Sequence, residues 1–155
     1  MFVECSSLKK APLLLSTKLA RGCYSHMFYG CINLLEFQDE LPAMELADTC
    51  YYMMFKTCIS LKKAPNLPAP ILIGACYRDM FERSSDVDTT KDKMESIEIL
   101  AMDWLDNSDS CYNMFGGYSG GYRIPNLTVT LAENTEPKVV GFGSNYTFIY
   151  KNTNY

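Results

Sequence analysis

The chain has 155 residues, room for one domain of ordinary size. A hydrophobic share of 48% and a charged share of 21% exclude a disordered tail, and no apolar run approaches the roughly 18 residues of a membrane helix. Basic residues number 14 against 18 acidic ones, a net charge of −4 that lacks the footprint of a nucleic-acid binder, and a single His speaks against triad chemistry or a His-rich metal site.

At the N-terminus, Met1-Phe2-Val3-Glu4-Cys5 has neither the basic nor the apolar segment of a signal peptide. A repeat then dominates. Cys23-Tyr24-Ser25-His26-Met27-Phe28 returns as Cys50-Tyr51-Tyr52-Met53-Met54-Phe55 and as Cys76-Tyr77-Arg78-Asp79-Met80-Phe81. A fourth copy, Cys111-Tyr112-Asn113-Met114-Phe115, reads as one residue shorter. After each early Met-Phe pair a Cys follows three residues on, then a Leu, then in two copies Ala-Pro: Phe2 leads to Cys5, Leu8, Ala11 and Pro12, and Phe55 leads to Cys58, Leu61, Ala64 and Pro65. The Met-Phe pairs are spaced by 26, 27 and 26 residues and then by 34.

On a wheel of 100° per residue, the Leu, both Cys, Met, Tyr and Phe of the unit fall within an arc of about 180°. The Cys-Tyr-x-x-Met-Phe stretch therefore predicts a short helix, and the Leu-x-x-Ala-Pro stretch a brief strand. One of each per repeat describes an α/β solenoid whose turns bury their apolar faces only against neighbours.

These residues resemble the BspA-type leucine-rich repeat family, built on Ala-Phe-x-x-Cys-x-x-Leu-x-x-Ile-x-Ile-Pro. The match runs from Met1 to about Phe115, with Met-Phe in place of Ala-Phe, Ala-Pro in place of the longer strand, and a longer repeat. The resemblance implies a leucine-rich-repeat-like right-handed solenoid and a secreted or cell-surface protein that binds other macromolecules. It implies no catalytic residues and no cofactor.

The repeat breaks twice. Between Phe81 and Met114 about eight residues intrude, and Ser84 stands in the place of the second Cys. Met94, Ile97, Leu100, Ala101, Trp104 and Leu105 have amphipathic spacing, so a helical insertion is expected near 86–108, with Asp88, Thr89 or Thr90 as N-cap. It either covers the core or presents Trp104 as a binding contact. From residue 118 onward alternation takes over in Leu127-Val129-Leu131 and Tyr146-Phe148-Tyr150, which predicts antiparallel strands and a β-rich C-terminal cap over 118–155, after a solenoid over 1–117. At the other end Met1-Phe2 enters in mid-repeat, so further repeats or a stacking partner are expected against the first copy.

The cysteines form two columns, Cys23, Cys50 and Cys76 and then Cys5, Cys31 and Cys58, whose parallel side chains suit buried free thiols better than disulfides. Cys23-x-x-His26-x4-Cys31 resembles part of a zinc site, but Met53, Asp79 and Asn113 occupy the His place in the other copies. The strand column is the better candidate: Lys9, Leu35 and Lys62 share one position and Lys10, Glu36 and Lys63 the next, which sets Glu36 between two lysines. That is either a solvated charge ladder or a face that touches a protein or glycan ligand. The tyrosines at 24, 51, 77 and 112 read as packing residues. The sequence thus predicts a non-catalytic binding or adhesion module, with a structural subunit of a surface appendage or phage particle as the rival. A hydrolase reading on Asp103 and Asp106 beside Trp104 has no motif behind it.

Overall fold

The computed structural model describes residues 1–84, 88–101, 109–116, 124, 127–132 and 146–151. Within the repeats, successive copies stack in register through alternate amides. Tyr24, His26, Phe28 and Gly30 donate their N–H groups to the carbonyls of Cys50, Tyr52, Met54 and Lys56 in the next copy, at 2.9–3.0 Å. The intervening Ser25, Met27, Tyr29 and Cys31 donate three residues back, to Gly22, Tyr24, His26 and Phe28. The following copy does the same, with Tyr51, Met53, Phe55 and Thr57 donating to Cys76, Arg78, Met80 and Glu82.

These stretches are chains of turns, where a short helix was expected. An α-helix would consume every interior N–H within itself, whereas here every second N–H points along the stack. The turns are closed by residues in the left-handed region at every fourth position, Gly22, His26 and Gly30 (φ 64°, 57° and 71°) and then Thr49, Met53 and Thr57 (φ 56°, 53° and 62°). Few side chains favour that region, and a β-branched Thr least of all, so the inter-copy hydrogen bonds hold these residues there.

Two aromatic columns form the core. Phe2, Phe28, Phe55, Phe81 and Phe115 stack with successive ring centroids 5.7, 5.6, 5.4 and 6.1 Å apart. Phe37 meets Phe28 and Phe55 edge-on. Burial of each such ring is worth about 1.5–3 kcal/mol, with up to about 1.5 more per aromatic pair. Beside them Tyr24, Tyr51 and Tyr77 stack in a second column. The thiols tie copy to copy as well: Cys31 Sγ donates to the Phe2 carbonyl at 2.9 Å and Cys58 Sγ to that of Phe28 at 3.1 Å. All seven cysteines are free; five are buried, and only Cys5 and Cys23, in the first copies, reach solvent.

The fourth copy is in full register. Tyr77, Asp79 and Phe81 donate to Ser110, Tyr112 and Met114. Ser110 therefore holds the place of the first Cys and Cys111 the place of the tyrosine, so the apparent loss of one residue is a substitution. Ser110 Oγ donates to the Gly74 carbonyl at 2.8 Å, a bond Cys would make only weakly. Beside the place of the second Cys, which Ser84 holds, the chain changes chemistry. Fully buried Arg83 pairs with equally buried Asp92 and donates from Nη1 to the Phe81 carbonyl at 2.7 Å.

On the opposite side the early copies touch through isolated parallel bridges, Lys10 to Glu36, Lys18 to Glu45 and Glu40 to Asn66. Further on, β1 (Ser96–Ile99), β2 (Thr128–Ala132) and β3 (Thr147–Lys151) form one parallel sheet in the order β1-β2-β3. A bridge between Leu67 and Ile99 joins it to the copy that begins at Cys50. Two expectations are corrected here. Residues 96–99 of the expected helical insertion are a strand, because Ile97 and Ile99 are buried while Ser96 and Glu98 are less so, an alternation that suits β-branched residues. Asp88 accepts from the Thr90 amide at 3.2 Å, but the helix that it opens is one 3-10 turn, Thr89–Lys91. The second correction concerns the tail: β2 and β3 are parallel, pairing Thr128 with Thr147 and Leu131 with Tyr150. Residues 133–146 between them are long enough for the crossover that parallel strands need. β1 and β2, on either side of the expected boundary at 117/118, belong to the same sheet.

Candidate functional site

The strand-bearing face is built from what the early copies leave outside. Lys9, Lys10, Leu35, Glu36, Lys62 and Lys63 are all exposed there, while Leu34 and Leu61 between them point into the core. The Lys9 carbonyl accepts from the amides of both Leu35 and Glu36, at 2.8 and 3.1 Å, and the Lys62 carbonyl from Glu95 at 3.3 Å. Lys10 Nζ lies 3.2 Å from Glu36 Oε2. The expected second lysine beside Glu36 is elsewhere: Lys63 Nζ meets Asp39 Oδ1 at 2.9 Å, and its hydrogen bond and charge hold the Asp39 carboxyl below the usual carboxylate range. Lys18 and Glu45 pair in the same way at 2.6 Å, which raises the pKa of Lys18. These are exposed pairs and stabilise the fold little.

A pocket of about 380 Å³ opens between the copy that begins at Cys50 and the sheet. Its lining is mainly polar: Lys63, Asn66, Ser96, Glu98 and Thr130 bring an ammonium, an amide, two hydroxyls and a carboxylate to it, beside the buried Ala64 and Ile97. Of the polar residues only Lys63 was singled out by the repeat. Asn66 lies beyond the repeated Ala-Pro, and Ser96, Glu98 and Thr130 come from strands whose stacking has no counterpart in the repeat. Trp104, Asp103 and Asp106 lie outside the described residues.

The turn side carries a second polar group. Asp79 is buried, accepts from Asn113 Nδ2 at 2.8 Å and has its pKa raised, mainly by burial. Arg78 lies 4.7 Å from the centroid of the Tyr112 ring, and Lys56 meets Glu82 at 2.6 Å with both side chains largely buried. His26 packs against the rings of Tyr29 and Tyr52, and its Nδ1 lies 2.8 Å from Ser25 Oγ. Burial and the nearby Lys56 lower its pKa. Among the described residues no three His, Cys, Asp or Glu side chains gather as a metal-holding group. No helix among them is long and apolar enough to cross a membrane. No protein-family model, curated protein or solved structure matches this chain.

Proposed function

We propose that the chain is a right-handed, leucine-rich-repeat-like solenoid of the BspA type that serves as a non-catalytic binding or adhesion module, secreted or on a cell surface. Its strand-bearing face takes a protein or glycan ligand. The observation that carries this reading is the pocket beside Lys63: a concave site where a charged amine, a carboxylate, an amide and two hydroxyls converge can fix the orientation of a polar ligand. The flanking rows of exposed charges, Lys10 with Glu36 and Lys63 with Asp39, supply a polar rim.

The test is binding of the purified chain to an array of glycans and extracellular-matrix proteins, repeated with Ser96→Trp to fill the pocket. Binding by the parent that falls at least tenfold in the variant, with an unchanged melting temperature, supports the reading. Absence of binding, or equal binding by both, overturns it.

The rival, an assembly subunit of a surface appendage or phage particle, is favoured by one other observation. Met1, Leu13 and Leu15 in the first copy are 86%, 72% and 79% exposed, more apolar surface than the later copies leave open. In that case the parent sediments as an oligomer and Phe2→Glu as a folded monomer.

A further inference from the structure

Tyr51 and Tyr77 are both fully buried, and neither hydroxyl has a hydrogen-bond partner. Buried polar groups are almost always satisfied, and an unmet donor in an apolar core costs free energy. The two residues occupy equivalent places in successive copies, and Tyr24 precedes them in the same column. The rings are nearly parallel, 16° between Tyr24 and Tyr51 and 11° between Tyr51 and Tyr77, with centroids 5.7 and 5.8 Å apart. Equivalent, parallel rings carry their hydroxyls at about the same spacing. An O–H···O bond spans about 2.5–3.0 Å, so adjacent hydroxyls are too far apart to bond directly. The gap is about the length of two such bonds end to end.

We infer that the tyrosine column is a binding site for ordered water, with one molecule bridging the hydroxyls of Tyr24 and Tyr51 and a second bridging those of Tyr51 and Tyr77. A buried water needs two to four polar partners. The hydroxyls provide two for each, and the thiol of Cys50, which is felt by both buried tyrosines, and that of Cys76, felt by Tyr77, lie in the same part of the core. Burial raises the pKa of Tyr51 and Tyr77, so both keep the proton they would donate. The row of waters stops at the fourth copy, where the register puts the Cys111 thiol in place of the next phenol. It also explains why this column is tyrosine when the neighbouring column, stacked at the same spacing, is phenylalanine throughout. The water bridges add a directional link to the ring stacking and so help to set the register of one copy on the next. This inference does not depend on what the strand-bearing face binds.

Removal of the hydroxyls gives opposite signs for the two possibilities. If the hydroxyls are unsatisfied, Tyr51→Phe and Tyr77→Phe raise the melting temperature. If water bridges them, each variant lowers it, and the double variant loses less than the sum of the two because both substitutions strip the same water. A rise, no change, or strictly additive losses overturn the proposal. A high-resolution crystal structure of the parent decides the matter independently, even if a variant fails to fold. Density for water within hydrogen-bond reach of both Tyr51 and Tyr77 hydroxyls supports the proposal; an empty gap, or a direct hydroxyl–hydroxyl bond, overturns it.

Discussion

On the strand-bearing side, the copies up to Asn66 meet through single bridges such as Lys10 to Glu36 and Glu40 to Asn66, whereas β1, β2 and β3 run side by side for four or five residues. Proline accounts for the contrast. Pro12, Pro42, Pro65, Pro68 and Pro70 fall in the early segments, and β1, β2 and β3 contain none. A proline has no N–H to donate, so a ladder that meets one each time round cannot continue. The early copies must therefore be held by their side-chain columns and by the turn side, while the later region is held by a backbone ladder. The same spacing between layers is reached by two different means, and the two regions should fail differently.

The largest expected effect tests the side-chain half of that contrast. Phe55 is fully buried, stacked on Phe28 and Phe81 and touched edge-on by Phe37. Phe55→Ala should cost about 4 kcal/mol in chemical denaturation. A loss under about 1 kcal/mol would mean that the columns are not what holds the early copies. The turn side is probed by Gly30→Ala. Gly30 has φ 71°, and a Cβ there would lie 2.9 Å from Glu4 Cγ and 3.3 Å from Glu4 Cα, so about 1–2 kcal/mol should be lost. A neutral result would show that the turns yield easily and bear little of the stacking.

The smallest effect is one of pH. Burial raises the Asp79 pKa above its unfolded value of 3.8, so the fold disfavours the ionised form. Stability from this group is complete below about pH 3.8 and is lost as the pH rises through and beyond that value. Asp79→Asn, which can still accept from Asn113, should raise the melting temperature by about 2 °C or less at pH 7 and leave it unchanged at pH 3. A fall at pH 7 would show that the contacts of the carboxylate with Arg78 outweigh its burial.

Much of this arrangement was legible because the columns recur. The Met-Phe and Cys spacings located the copies, and Phe2, Phe28, Phe55 and Phe81 stack as equivalent positions should. The turns were misread for a physical reason. Cys50, Tyr51, Met54, Phe55 and Cys58 are buried at i, i+1, i+4, i+5 and i+8, the pattern of a four-residue turn repeat. At about 90° per residue it differs little from the 100° of a helix. Gly22 and Gly30, eight residues apart, were the clue to left-handed positions at every fourth residue. The strand at 96–99 was obscured because Ile97 and Leu100 also fit a helical spacing; the strand at 128–132 was legible in its alternation, but its parallel pairing depends on long-range stacking that local alternation does not encode. On the candidate face, Lys63 was legible; its partner Asp39 was not, since the two are 24 residues apart, off the repeat period.

The thiols give the stack a built-in gauge of its own opening. A thiol reacts as its thiolate, and burial pushes the pKa of Cys50, Cys58 and Cys76 up to about 12 and that of Cys111 well above the ordinary thiol value. Each of these cysteines stays silent to an alkylating reagent until its own layer parts from the next, while Cys23 is exposed from the start. The order in which they are modified during brief labelling would record whether the molecule unzips from one end, layer by layer, or comes apart all at once.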